Sequence, residues 1–320
     1  MDTIIGSDIG EAVEYLKTGN VVAIPTETVY GLAGNAMDPN VVEKIFQIKE
    51  RPKRNPLILH VRSLDAAKNY VNEWPEWADL LTLAFWPGPL TLLLKKSSLV
   101  SDLITAGSDR VAIRIPAHPM ALELLNRIEF PLAAPSANPF TYISPTTAMH
   151  VFKQLSGKIP YILDGGACKR GLESSIVGME QEELYLYRAG AVNLELIEKL
   201  VGALQFKLPI NTVLDAPGML AKHYSPKTKL VLTQNLLKSV EEMSGKKIGL
   251  LVLSTTHPSI LKYPHVELSK SANLEEAAEN LYAGLHILDQ MNLDLIIAET
   301  LPDEGIGRAI NDRLRRAATI

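Results

Sequence analysis

The stretch from Ile24 to Val61 constrains the fold more than any other. It reads I-P-T-E-T-V-Y-G-L-A-G-N-A-M-D-P, then a helical pattern, then K-E-R-P-K-R-N-P-L-I-L-H-V. Its opening predicts a strand that runs into a hydroxyl-rich loop. Thr26, Thr28 and Tyr30 offer donors there, and Gly31 and Gly34 permit a tight turn or close approach to a ligand. Asp38 is placed to cap a helix whose first position is Pro39. Val41, Val42, Ile45 and Phe46 share one face of it, and Pro52 stops it. Lys49, Arg51, Lys53 and Arg54 crowd that stop. Pro56 then opens a short apolar strand, Leu57 to Val61, with His60 near its end. The cations read either as a solvated basic face at the negative end of a helix or as a polyanion site. Two prolines and two flanking regular elements give the rigidity that the second reading needs.

Along the chain, many strands end in short polar loops, as when one end of an α/β sheet carries the site. Residues 8–18 have the spacing of an amphipathic helix, and Val21 to Ile24 reads as a buried strand. Arg114 interrupts an apolar strand, so it is either ion-paired or binds an anion. P-S-A-N-P brings Ser136 and Asn138 to a strand end, or is a plain turn. Ser144-Pro145 reads as a cap opening a helix to about Leu155. Glu173, Ser174 and Ser175 lie at the mouth of another strand, and Arg188 ends the next. A helix over 193–202 closes this part. Elements do not alternate strictly, which predicts a mixed sheet. Residues 203–228 lose all periodicity and hold three prolines. Beyond them strands and helices alternate, as in a small α/β domain.

A chain of 320 residues suggests about two domains. A net charge of −4 excludes a general nucleic-acid-binding surface, so any basic site is local. The single cysteine, Cys168, excludes an internal disulfide and a thiolate zinc cluster, and a reducing cytoplasm is the expected setting. No basic n-region opens the sequence and no apolar run approaches 18 residues, so neither a signal peptide nor a membrane span is expected. Neither phosphate-binding glycine loop occurs, nor H-E-x-x-H, nor G-x-S-x-G.

The run P-T-E-T-V-Y-G-L, followed by K-x-R and N-P-L, resembles the YrdC-like family of threonylcarbamoyl-AMP synthases. F-W-P-G-P-L-T, an R-x-P strand end, P-S-A-N, D-G-G and G-x-E-S follow in order. The P-G-M…K-H-Y-S-P segment and the small C-terminal domain resemble the two-domain branch of that family. The resemblance implies an α/β fold: a twisted mixed sheet flanked by helices over 1–204, a linker or lid over 205–228, and a small Rossmann-like α/β domain over 229–320. It implies that L-threonine, bicarbonate or CO2, and ATP with Mg2+ give threonylcarbamoyl-AMP and pyrophosphate. The product would pass to a transferase complex that modifies tRNA. Carried over residue by residue, Lys49 and Arg51 form the catalytic K-x-R pair. Thr28, His60, Arg114, Ala134 and Ser174 surround threonine. Arg51, Asn55, Arg110, Ser136, Asn138, Ser144, Arg188 and Tyr224 surround ATP, and no residue is assigned to a protein-held metal. Ser175 departs from the usual threonine, and Leu220-Ala221 fills a variable pair. Two rivals are a YrdC-like carbamoyltransferase, which would carry zinc-binding cysteines, and a non-catalytic RNA-binding module, which would need aromatic stacking platforms.

Overall fold

The computed structural model describes residues 2–207, 216–217, 222–243, 245–255 and 257–319. Among them, eleven strands form one sheet. Their spatial order is Ile4–Gly6, Tyr161–Leu163, Val22–Ile24, Gly31–Asn35, Leu132–Ala133, Ile58–His60, Arg110–Arg114, Leu90–Lys95, Ser175–Glu180, Glu183–Arg188 and Gln205–Phe206. Parallel and antiparallel pairs mix, as the irregular alternation predicts: Ile58–His60 runs parallel to Arg110–Arg114, and Leu90–Lys95 antiparallel to it. The register sets His60 opposite Arg114, so two polar side chains meet in an apolar sheet.

Helices cover the sheet where their apolar stripes fit. Helix Ile9–Lys17 starts at Asp8, whose Oδ1 accepts from Gly10 N at 2.7 Å, and its Ala12, Val13 and Leu16 pack with Leu124 and Leu125 of helix Pro119–Asn126. Helix Pro39–Lys49 is capped by Asp38, which accepts from Asn40 N at 2.9 Å. It lays Val41, Val42, Ile45 and Phe46 into the largest core cluster. Helix Pro119–Asn126 has no counterpart in the sequence reading, although His118-Pro119 is a legible start.

A second sheet has four parallel strands in the order Leu230–Thr233, Leu295–Glu299, Ile248–Val252 and His265–Glu267. Helix Leu236–Glu242 covers one face, while Leu274–Asp289 and Gly307–Ala318 cover the other. The second of these cores also takes in Val29, Ile143, Leu172 and Tyr224, so apolar packing is continuous between the two sheets. Polar contacts join them as well. Tyr142 hydrogen-bonds Asp289, His286 Nε2 lies 3.2 Å from Ser144 O, and the His150 and His286 rings stack 4.1 Å apart.

Three expectations need correction. Gly31 and Gly34 belong to a strand and not to a loop. Gly34 is there because a Cβ would lie 2.6 Å from Val41 Cγ1, so it lets the following helix sit close. Ser144 caps no helix. Helix Ala148–Leu155 begins after Thr147, whose side chain accepts from His150 N at 3.2 Å. Within 203–228, Gln205–Phe206 extends the large sheet in parallel with Glu183–Arg188. Residues 208–215 and 218–221 of that segment, with Pro209, Val213, Leu214, Met219 and Leu220, lie outside the described residues. Ala216 packs against Ile58, Leu93, Ala112, Ile176 and Tyr187 on the open face of the sheet. No described helix is long and apolar enough to cross a membrane.

Burial lowers five histidines: His60, His118, His150, His223 and His286. It lowers His60 and His286 to about 3 and His150 to about 4, with Arg114, His150 and Lys153 respectively as the next cause. As pH falls through about 6.5 the unfolded chain takes up these protons and the folded chain does not. Stability is therefore lost between about pH 6.5 and 4, by up to about 1.4 kcal/mol per group per pH unit. A melting temperature at pH 5.5 well below that at pH 7.5 is expected. His286→Gln should shrink the difference, since it removes one of these groups.

Candidate active site

A cleft opens where Ile58–His60 and Arg110–Arg114 end, beside the loops after Ile24, Ala133 and Leu172. Its open space, including the part open to solvent, is about 590 Å³. Nine of the residues carried over from the resemblance line it: Thr28, Arg51, His60, Arg114, Ala134, Ser136, Ser174, Arg188 and Tyr224.

Arg114 is built in by three contacts. Its Nε donates to Gly88 O at 3.0 Å, Nη1 to Thr28 Oγ1 at 3.1 Å, and Nη2 to Glu27 Oε1 at 2.5 Å. A guanidinium has five N–H groups, so two remain for a ligand. The ion-paired reading of Arg114 therefore holds, and the pairing still leaves it donors. Thr26 Oγ1 lies 2.7 Å from Thr28 Oγ1 and accepts from Val29 N, which fixes the hydroxyl loop. His60 Nδ1 faces Ile58 O at 3.3 Å. A carbonyl only accepts, so Nδ1 carries the proton and Nε2 is an acceptor.

Arg51 and Arg188 also line the cleft, each 7% exposed. Arg51 follows the helix end, where Glu50 takes a left-handed φ of 56°. Its Nε and Nη2 donate to the carbonyls of Asn55 and Pro56 at 3.3 and 2.9 Å, and its Cζ sits 5.8 Å from the Phe140 ring centroid. Arg188 donates to Ser174 O at 3.0 Å, Ser174 Oγ at 2.9 Å and Pro217 O at 3.2 Å. Ser174 Oγ also lies 2.7 Å from Thr91 Oγ1. The turn after Arg188 reaches the Glu173–Ser175 backbone because Gly190 has no Cβ; one would lie 2.4 Å from Glu173 O. No described carboxylate forms an ion pair with Arg51 or Arg188. Burial pulls Arg51 down to about 9, with Tyr224 opposing and Arg188 adding to the effect; burial lowers Arg188 as well.

Five carried-over residues do not reach the cleft wall. Lys49 is 1% exposed, and its Nζ donates to Ser136 O, to Asn138 O at 2.5 Å and to Asn138 Oδ1 at 3.3 Å. It shapes the P-S-A-N loop from behind, a structural role beside the catalytic one that the resemblance implies. Asn138 Nδ2 is engaged by Pro139 O and Tyr142 O. Ser144 Oγ donates to Glu173 Oε1 at 2.7 Å. Arg110 shares the strand of Arg114 at its other end, where Glu180 and Tyr187 hold its guanidinium at 2.6 Å. Asn55 is fully buried behind Arg51, and neither atom of its side-chain amide has a partner.

Three polar residues of the cleft were not among those carried over from the resemblance: Thr26, Glu173 and His223, although Thr26 was read as a donor of the hydroxyl loop and Glu173 as lying at a strand mouth. Each neighbours a residue that was expected or quoted in a motif, so the signal was adjacency. His223 is buried, its Nδ1 has no partner, and its ring lies 4.1 Å from that of Tyr224. Burial first, then Arg51 and Lys49, keep it neutral. Tyr224 is 1% exposed, with a left-handed φ of 63°.

Residues 14–190 match the Sua5–YciO–YrdC family, described as "Telomere recombination". Residues 192–319 match "Threonylcarbamoyl-AMP synthase, C-terminal domain". The chain belongs to this family. The threonylcarbamoyl-AMP synthase of Pyrococcus abyssi is 38% identical, covering 96% of this chain and 93% of its own. That of Bacillus subtilis is 37% identical, covering 97% and 92%. The crystal structure of P. abyssi Sua5 complexed with L-threonine superposes with a TM-score of 0.91 at 38% identity, over 99% of this chain and 97% of that one. Both halves of the architecture are thus those of the two-domain synthases.

Lys49→Met separates a structural role of Lys49 from a catalytic one. The carbonyls of Ser136 and Asn138 would lose their donor in a buried place, at a cost of about 1–3 kcal/mol. The melting temperature should fall together with activity. Lost activity at unchanged stability would place Lys49 in the chemistry.

Proposed function

We propose that this chain makes threonylcarbamoyl-AMP and pyrophosphate from L-threonine, bicarbonate or CO2, and ATP. The observation that carries the reading is the pair of buried guanidiniums, Arg51 and Arg188, with no carboxylate partner and lining the same cleft as Arg114. A buried cation without a counter-ion is costly, and a polyphosphate removes that cost. Arg114, with two N–H groups left, is the fork for the threonine carboxylate. The neutral His60 and the hydroxyls of Thr28 and Ser174 surround the same end.

The chemistry asks for placement more than covalent work. The neutral amine of threonine adds to CO2 and gives up a proton, forming a carbamate. A carbamate oxygen then attacks the α-phosphorus of ATP, and the bond to the β-phosphate bridging oxygen breaks. Pyrophosphate leaves with the electron pair. Arg51 and Arg188 stabilise charge on the phosphates. The described cleft does not fit a protein-held magnesium ion. Its one carboxylate, Glu173, is engaged by Ser144, Tyr282 and Arg313, and no described group of three acidic, His or Cys side chains could hold a metal. Mg2+ would arrive on the nucleotide. Transfer of the threonylcarbamoyl group from the adenylate to tRNA by a partner complex, with AMP as the leaving group, and a cytoplasmic setting, complete the proposal.

Pyrophosphate release with ATP and bicarbonate should depend on threonine. Serine should be poorer by about 1–3 kcal/mol, because it lacks the methyl group. Equal turnover of unrelated amino acids would refute the substrate assignment. Arg51→Ala should weaken ATP binding and Arg114→Ala threonine binding, each by about 1.5–3 kcal/mol. Titrating each ligand separately against each variant checks the division, and crossed effects would overturn it.

A further inference from the structure

Glu173 stands out in a cleft proposed to take a triphosphate. It is the one carboxylate among the described lining residues, and it adjoins Ser174, to which Arg188 donates twice. Its lone pairs are filled from both halves of the chain. Oε1 accepts from Ser144 Oγ at 2.7 Å and Tyr282 OH at 3.1 Å. Oε2 accepts from Tyr282 OH at 2.9 Å and Arg313 Nε at 2.8 Å. Arg313 lies on the helix Gly307–Ala318 and is 1% exposed. Its other atoms reach the same small region. Nη2 donates to Ala189 O at 3.0 Å, one residue from Arg188, and Cζ sits 4.9 Å from the Tyr224 ring centroid. Nη1 pairs with Asp312 at 2.7 Å, and Asp312 also pairs with Arg316.

We infer that Arg313 is a positioning residue of the nucleotide site: by neutralising Glu173 it keeps Arg188 available to phosphate. The inference rests on the proposed function. Its logic is competition. Arg313 and Arg188 are the two cations that act on the Glu173 carboxylate, and only Arg313 is paired with it. Without Arg313, a buried carboxylate one residue from Ser174 would have Arg188 as its available cation. The guanidinium would turn from the cleft toward Glu173, and any uncompensated part of that charge would repel an incoming phosphate. The second domain thereby sets the charge of the first domain's site through one side chain.

Competition gives a signature that simple packing does not. ATP affinity is measured by calorimetry, without threonine, for the full chain and for Arg313→Met, Glu173→Gln and the double variant, with melting temperatures alongside. Arg313→Met should weaken ATP by about tenfold or more. Adding Glu173→Gln should recover the affinity to within about threefold of Glu173→Gln alone, since no charge is then left to compete. Wild-type affinity in Arg313→Met overturns the inference, as does a double variant no better than Arg313→Met. Should Arg313→Met fail to fold, the double variant, which removes both charges of the Glu173–Arg313 pair, is compared with Glu173→Gln. Equal affinities support the inference, and a further large loss overturns it. A wild-type chain that binds no ATP overturns the functional reading and this inference together, and that control separates the two failures.

Discussion

Two guanidiniums buried without a counter-ion, Arg51 and Arg188, set the terms for everything around the cleft. Each is held by oxygens that carry no full charge: the carbonyls of Asn55 and Pro56 for one, Ser174 and Pro217 for the other. Such contacts fix orientation without cancelling the charge, so the positive field survives into the cleft. The arrangement contrasts with Arg114, whose charge is matched by Glu27. Arg114 with Glu27 is thus nearly neutral and directional, suited to a single carboxylate. Arg51 and Arg188 carry an excess of charge suited to phosphates.

Much of the scaffold exists to hold these side chains still. Arg51 follows a helix that ends in a left-handed residue, and its plane lies beside Phe140. Phe140 is drawn in by its amide, which donates to Lys49 O at 2.7 Å, while Lys49 Nζ gathers the carbonyls of Ser136 and Asn138. Of the K-x-R pair, the lysine is therefore held on backbone carbonyls while the arginine lines the cleft. That division follows from reach: the lysine is on the buried side of the helix end, two residues before the arginine that faces the cleft.

The organising stretch was legible because each of its features is local: a cap, a proline at the first helical position, an apolar stripe and a proline stop. Strand ends carrying Arg114, Ser174 and Arg188 were legible for the same reason. What escaped the sequence depends on contacts between distant residues. Gly34 reads as a loop glycine until Val41 is seen above it. Ser144-Pro145 has the grammar of a cap, yet its hydroxyl goes to Glu173, 29 residues on. Arg110 and Arg114 look alike on one strand, but four residues of extended chain place them at opposite ends of it, with Glu180 holding the first. Arg313 could not be read as part of a site at all, since its neighbours Glu173 and Ala189 lie more than a hundred residues away.

The chemistry accounts for a cleft lined by the first domain and by Pro217, His223 and Tyr224 of the segment that follows it. No nucleophile is required, and none is offered: burial pushes the Cys168 thiol well above its ordinary range. A carbamate and a mixed anhydride both hydrolyse, so the site gains by keeping water out, and a shallow face of one sheet cannot do that alone. Here Ala216, Pro217, His223 and Tyr224 lie against the first domain, while Tyr282 and Arg313 of the second hold Tyr224 and Glu173 from behind. Tyr224 is kept in a left-handed conformation that a non-glycine residue adopts only when its surroundings impose it. Packing from the second domain supplies that constraint. A single-domain arrangement of the same catalytic residues would need some other surface to close the cleft and to balance the charge of Glu173.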